Sequence, residues 1–302
     1  MPSTCEATVF YDDAGEASAR IYALAAPTID GRLLTVDELA ECRLECRIEG
    51  PKCRYSTTLP TRVKLTHRGV TNWGDLPALV AEAYLPDPCP WSPELPFLYR
   101  VIGNVYLGER LIAEIDQTFG IRPMSVVRNR IKFQGKTWVP RGVTLDCTER
   151  PPLETWRESS TMMIVDDSSF ELLDEAGRVG VSVNVLLEGG TPDLARKAAE
   201  LSRFPAVALI TVEANCDPSV IASARNTLFM SERTPEARNC TQVQYQLFEG
   251  AGVGPDWPTD ITVPLIAFRD IGVSVQFEEA RRLCDVLQRD LAGRGDPAGY
   301  FV

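Results

Sequence analysis

Near residue 130 the chain changes its hydrophobic period, and that change limits its fold more than any other feature. Before it, apolar residues alternate with polar ones. Cys42, Leu44, Cys46 and Ile48 are separated by Arg43, Glu45 and Arg47, the period of two of a strand with one face buried. Residues 6–11 and 17–25 flank the turn Asp12-Asp13-Ala14-Gly15, and residues 98–107 and 110–116 flank Gly108-Glu109 as a hairpin. Short strands at this spacing predict two packed antiparallel sheets over 1–125. Beyond the change, eight apolar runs (138–145, 161–165, 180–187, 206–212, 227–230, 241–248, 261–268 and 273–277) are interleaved with helical stretches. Residues 170–179 place Leu172, Leu173 and Ala176 on one face. Residues 192–202 open on Pro192 and repeat Leu194, Ala198 and Leu201; 218–225 form a shorter stretch, and 278–291 carry Leu283, Val286, Leu287 and Leu291. Near-continuous apolar strands between helices need a parallel sheet with covered faces, and eight of them predict a closed barrel over 126–302. A full barrel of this kind takes about 250 residues. The connections 231–240 and 249–260 carry Pro and Gly without helical period, so helices are expected to be missing there.

Charge and rare residues exclude several functions. With 42 acidic and 31 basic side chains the net charge is -11, which argues against nucleic acid or an anionic membrane surface as partner. No apolar run is long enough to span a membrane, and the first residues have neither the basic nor the apolar region of a signal peptide. Nine scattered cysteines, an odd number, fit reduced thiols and a cytoplasmic location. The single histidine, His67, sits at the end of an apparent strand, so multi-histidine metal sites and histidine-assisted nucleophiles are not expected. The alternation explains Cys42 and Cys46 as core residues, Cys53 has no second cysteine pair beside it, and no metal site is expected. The glycine run 250–254 lacks the Lys-Ser/Thr of a phosphate loop, and Gly189-Gly190-Thr191-Pro192 reads as a loop and helix start. No cofactor is expected.

A series of segments in order carries a resemblance. Pro90 to Tyr99 reads PWSPELPFLY; Thr118 to Arg122 reads TFGIR; Phe133-Gln134-Gly135-Lys136, Arg141-Gly142-Val143, Leu172-Leu173-Asp174-Glu175-Ala176 with Gly180, and Phe204-Pro205-Ala206-Val207 follow. These resemble the WSPE-x-P-x-LY, FGFR, LNGK, RGV, LLDEA and HPSV segments of family 2 glycoside hydrolases, over about residues 90 to 215. The resemblance implies an immunoglobulin-like β-sandwich followed by a reduced (β/α)8 TIM-like barrel, a multidomain β plus α/β chain, without that family's leading jelly-roll domain. Each motif also has a plain scaffold reading: the glycines serve turns and close approaches.

The resemblance also locates the chemistry. A retaining glycosidase needs two carboxyl groups about 5–5.5 Å apart. Counting from Pro205, the family's acid/base falls on Asn215, whose amide donates no catalytic proton; counting from Pro264, its nucleophile falls on Arg269, a permanent cation. Its RTSHYP segment is replaced by Ile164-Val165-Asp166-Asp167. The resemblance therefore implies a pseudo-glycosidase. Acids remain at the predicted C-terminal ends of the strands, where barrels keep their sites: Asp146, Asp166, Glu188, Glu213, Glu232, Glu249 and Asp270. A chain this acidic also puts solvated acids on any exposed loop. Three readings stay open: an inactive relative that binds a carbohydrate or a protein partner, an active hydrolase with displaced carboxylates (Glu213 with Asp270), and a structural subunit that pairs with a second copy through the barrel face lacking helices.

Overall fold

The computed structural model describes residues 4–74, 76–145, 150–166, 169–191, 193–234, 241–249, 257–258, 261–270 and 275–302. They divide into two compact units, Met1–Ile121 and Arg122–Val302. No helix among the described residues is long and apolar enough to cross a membrane.

The first unit holds β1 (Thr4–Asp12), β2 (Ser18–Ile29), β3 (Arg32–Leu33), α1 (Val36–Ala40), β4 (Cys42–Lys52), β5 (Thr61–Lys64), β6 (Thr66–Trp73), β7 (Leu76–Pro86), β8 (Leu98–Leu107) and β9 (Arg110–Phe119). They form two antiparallel sheets, β1-β2-β7-β6 with β3 beside β2, and β5-β4-β8-β9. Alternation decides which side chains meet: Ile21, Ala23, Leu79 and Ala81 of the first sheet share one apolar core with Leu44, Ile48, Val101 and Ile115 of the second. Cys42 and Cys46 are core residues on β4. Gly103, paired with Cys46, has no room for a side chain, because a Cβ there would lie 2.4 Å from Cys46 Sγ. His67 is half-buried on the edge strand β6, and burial lowers its pKa.

The second unit opens with a three-stranded antiparallel sheet of β10 (Met124–Val127), β11 (Arg130–Phe133) and β12 (Lys136–Thr137). The barrel follows: β13 (Arg141–Thr144), α2 (Leu153–Glu158), β14 (Met162–Val165), α3 (Phe170–Val179), β15 (Val183–Leu186), α4 (Leu194–Ser202), β16 (Val207–Thr211), α5 (Pro218–Ser223), β17 (Leu228–Glu232), β18 (Val243–Glu249), β19 (Leu265–Asp270), α6 (Phe277–Leu291) and β20 (Gly299–Phe301). β13 to β20 close in sequence order, every pair parallel. Seven of the eight expected runs are barrel strands. The eighth is not: Phe277 begins α6, residues 273 and 274 lie outside the described residues, and the closing strand is β20. Three residues carry no period, so pattern could not find it. The six-residue α2 and the strands β10–β12 are too short for the same reason.

Each barrel strand has two apolar faces. Val143, Met163, Val165, Val183, Val185, Ile210, Phe229, Leu265 and Ala267 pack with Trp156, Leu173, Leu201, Cys284 and Leu287 of the helices. Met162, Ile164, Leu209, Leu228, Met230, Val243, Ile266 and Phe301 fill the interior, and Ile131 of β11 belongs to that interior cluster. Arg130 pairs with Asp296, three residues before β20, so the β10–β12 sheet lies at the N-terminal ends of the strands. Arg122 works there too: 2% exposed, it donates to the carbonyls of Pro205 and Val207 and, at 3.0 Å, of Asn226, at the starts of β16 and β17. Where no helix is found among the described residues between β18 and β19, Trp257 is buried and stacks on Phe248 at 6.1 Å between ring centroids. Gly295 is small for this reason: a Cβ there would lie 2.0 Å from the Trp257 ring.

Candidate functional site

Strand parity defines the open end of the barrel. On β14, Met162 and Ile164 point inward, and two residues beyond Ile164 stands Asp166. Asn184 and Leu186 on β15 lead to Glu188, Leu209 and Thr211 on β16 to Glu213, Leu228 and Met230 on β17 to Glu232, and Ile266 and Phe268 on β19 to Asp270. Five predicted acids thus stand at C-terminal strand ends on the interior period, and all five are exposed. Glu249 ends β18 opposite Asp270 in the register, its side chain outside the described residues. Asp146 lies outside them altogether, as does Asp167.

The acids are held differently. Glu213 accepts the Gly189 backbone N–H at 3.1 Å, which ties the end of β16 to the loop after β15. The approach is close enough that a Cβ on Gly189 would lie 2.3 Å from Glu213 Oε1, so a side chain there would push the carboxylate aside. Glu232 pairs in register with Tyr245; the Tyr245 phenol has its pKa raised by burial and, second, by the charge of Glu232. Tyr245 meets the ring of Phe268 edge-on at 5.7 Å. Among the described residues no group of three or more Asp, Glu, His or Cys side chains could hold a metal ion.

The two positions matched by counting to the family's catalytic pair are placed differently from the five acids. Asn215 is an exposed residue four beyond the end of β16. Arg269 falls on the opposite parity from Phe268 and Asp270. It is 3% exposed and its Nη2 meets Asp290 Oδ2 of α6 at 2.9 Å, so it faces the helix layer. The inward position at the end of β19 belongs to Asp270.

Pattern alone missed a polar pair inside the barrel. Asn184, 1% exposed, accepts from Thr211 Oγ1 at 3.0 Å, and its Nδ2 has no partner. Thr211 pairs with Leu186, one inward step beyond Asn184 along β15. The available signal was an amide in the mostly apolar run Val181-Ser182-Val183-Asn184-Val185-Leu186-Leu187.

Comparison with known proteins agrees with this architecture. Residues 36–122 match the family model described as Glycosyl hydrolases family 2. No curated protein sequence matches the chain. Among solved structures, a Bacteroides uniformis beta-glucuronidase superposes with a TM-score of 0.65 at 12% identity, over 99% of this chain and 46% of that one. A glycosyl hydrolase family 2 member from Bacteroides cellulosilyticus gives 0.66 at 13%, covering 99% and 46%. A Bifidobacterium dentium beta-glucuronidase complexed with coumarin-3-O-glucuronide gives 0.60 at 12%, covering 99% and 60%. The chain therefore spans about half the length of the first two and 60% of the third. Residues 36–122 thus resemble glycosyl hydrolase family 2, and nearly the whole chain shares the fold of solved structures described as members of that family or as beta-glucuronidases.

Proposed function

We propose that the chain is a non-catalytic, family 2-like module that binds a carbohydrate, or failing that a protein partner, at the acid-rimmed end of its barrel. In this reading the first unit is an immunoglobulin-like sandwich, the second a reduced (β/α)8 TIM-like barrel, and the protein works in the cytoplasm as a pseudo-glycosidase. One observation carries it. The residue matched to the family's nucleophile is a buried arginine paired with Asp290 on the helix side, and the residue matched to its acid is the amide Asn215. Neither can donate or accept the proton, or form the glycosyl bond, that two-carboxylate chemistry requires.

The second reading, an active hydrolase with displaced carboxylates, is favoured by the inward parity of Asp270 at the end of β19, facing Glu213 beyond β16 across the barrel. A panel of aryl α- and β-glycosides, assayed from about pH 4 to about pH 9 beside Glu213→Gln and Asp270→Asn, separates the two. Turnover no higher than in the variants is the expected result. Turnover abolished by either substitution sinks the non-catalytic reading. A structural role, with a second copy against the barrel wall between β17 and β19, is checked by sedimentation. Trp257 already covers part of that wall, so a monomer is expected.

A further inference from the structure

We infer that the seam between α3 and α4, in the helix layer of the second unit, is a docking site for an acidic segment of a protein partner. The inference is independent of the carbohydrate reading above. Phe170 opens α3 and Phe204 follows α4, and their rings meet at 5.4 Å between centroids. Lys197, Leu201 and Phe204 recur at helical spacing, which puts them on one flank of α4. Leu201 turns into the core, while Lys197 Nζ stands 4.9 Å from the centre of the Phe170 ring. Arg203 is the C-cap of α4, and its guanidinium carbon lies 5.0 Å from the centres of both rings. Two cations thus share one aromatic pair.

What the two cations lack is a carboxylate. Arg178, Arg196, Arg281 and Arg282 are each paired with an acid one turn away on their own helix. Among the described residues, Lys197 and Arg203 form no ion pair and no side-chain hydrogen bond. The acid that acts on Arg203 is Glu200, and that carboxylate accepts from Arg196 at 3.3 Å. A helix C-terminus favours a cation, and the rings favour a guanidinium over their faces. Neither answers the N–H donors of the guanidinium. Burial lowers the Arg203 pKa, as it does for a cation that has lost water without gaining a counter-ion. None of its nitrogens is both fully buried and unpartnered, so a carboxylate can reach them. The two rings already hold the guanidinium in place, and little rotamer freedom is lost when a partner binds. Arginine and aromatic side chains together are common anchors of protein interfaces. Charges set along a helix flank match carboxylates spaced along a peptide better than one compact anion.

The test is fluorescence anisotropy of a labelled oligoglutamate peptide titrated with the whole chain at low salt. The net charge of -11 repels a polyanion, so binding requires a local cationic site. Binding is expected, and it should weaken as salt is raised. Arg203→Gln should weaken it about fivefold and Lys197→Gln about threefold, the range of exposed ion pairs. Arg294→Gln, at an exposed arginine beyond the end of α6, should change nothing. Glu200→Gln should tighten binding about threefold, a gain that a purely structural role for the cluster does not produce. Thermal unfolding of each variant checks that it is folded. No binding of the peptide, equal losses from Arg294→Gln and Arg203→Gln, or no gain from Glu200→Gln overturns the inference. Inorganic phosphate or benzoate that displaces the peptide at equal concentration overturns it in favour of a small anion. Each of these outcomes leaves the carbohydrate reading standing, since no group at the barrel mouth is altered.

Discussion

A buried arginine has to be explained by what it holds. Arg122 meets three backbone carbonyls, of Pro205, Val207 and Asn226. Carbonyls at the start of a parallel strand have lost their ladder partners, and a planar guanidinium satisfies several at once while keeping its charge hydrogen-bonded. Arg122→Met fills similar volume but leaves those carbonyls unanswered, so it should lower stability by about 3 kcal/mol. Urea unfolding measures this, and a loss under about 1 kcal/mol would show that water replaces the guanidinium. The same logic separates the two arginines that the sequence placed in family motifs. Arg122 sits where its motif predicts a structural role. Arg269 was found by counting from Pro264, and counting cannot tell which face of β19 a residue takes; the helix partner Asp290 decides that.

At the scale of elements, local chemistry explains the short helices that periodicity could not. Five-residue α1 exists because Thr35 accepts the Glu38 N–H while Glu38 accepts the Thr35 N–H, with Arg32 bidentate on the same carboxylate. Arg32 first, then the Thr35 N–H, lower the Glu38 pKa to about 2. A depressed carboxylate contributes stability above its unfolded pKa, about 4.3, and that contribution fades as pH falls through the folded value. The α1 amides should therefore keep their hydrogen-exchange protection at neutral pH and lose it between about pH 4.3 and about pH 2; Glu38→Gln should abolish the pH dependence. The long elements were legible because their period was sustained: α3, with Ser169 capping its start and Gly180 ending it at φ 91°, matches the expected 170–179. The acid rim was legible as residue identities at strand ends. Its companion pair Asn184–Thr211 was not, because nothing in a string of letters distinguishes an amide inside a barrel from one on its wall.

For the whole molecule, closure is the property that depends on the least sequence. β20 is three residues long, yet it pairs with both β13 and β19 and places Phe301 in the interior cluster, ring to ring with Phe268 at 6.1 Å. Gly142 lies under it so closely that a Cβ there would be 2.6 Å from the Phe301 ring. Two edges of an otherwise complete parallel sheet thus depend on one short strand, and an unpaired edge exposes a full row of backbone groups. Phe301→Ala should cost about 3 to 5 kcal/mol, as removal of a buried aromatic does. Replacing residues 299–302 by a Gly-Ser sequence should do something different in kind. Amides of β13 and β19 should lose exchange protection while β15 and β16, on the far side, keep theirs, and the protein should associate through the opened edges. Loss of protection around the entire barrel would show that closure nucleates the fold instead of completing it. Uniform retention would show that the seven remaining strands already form a stable open sheet.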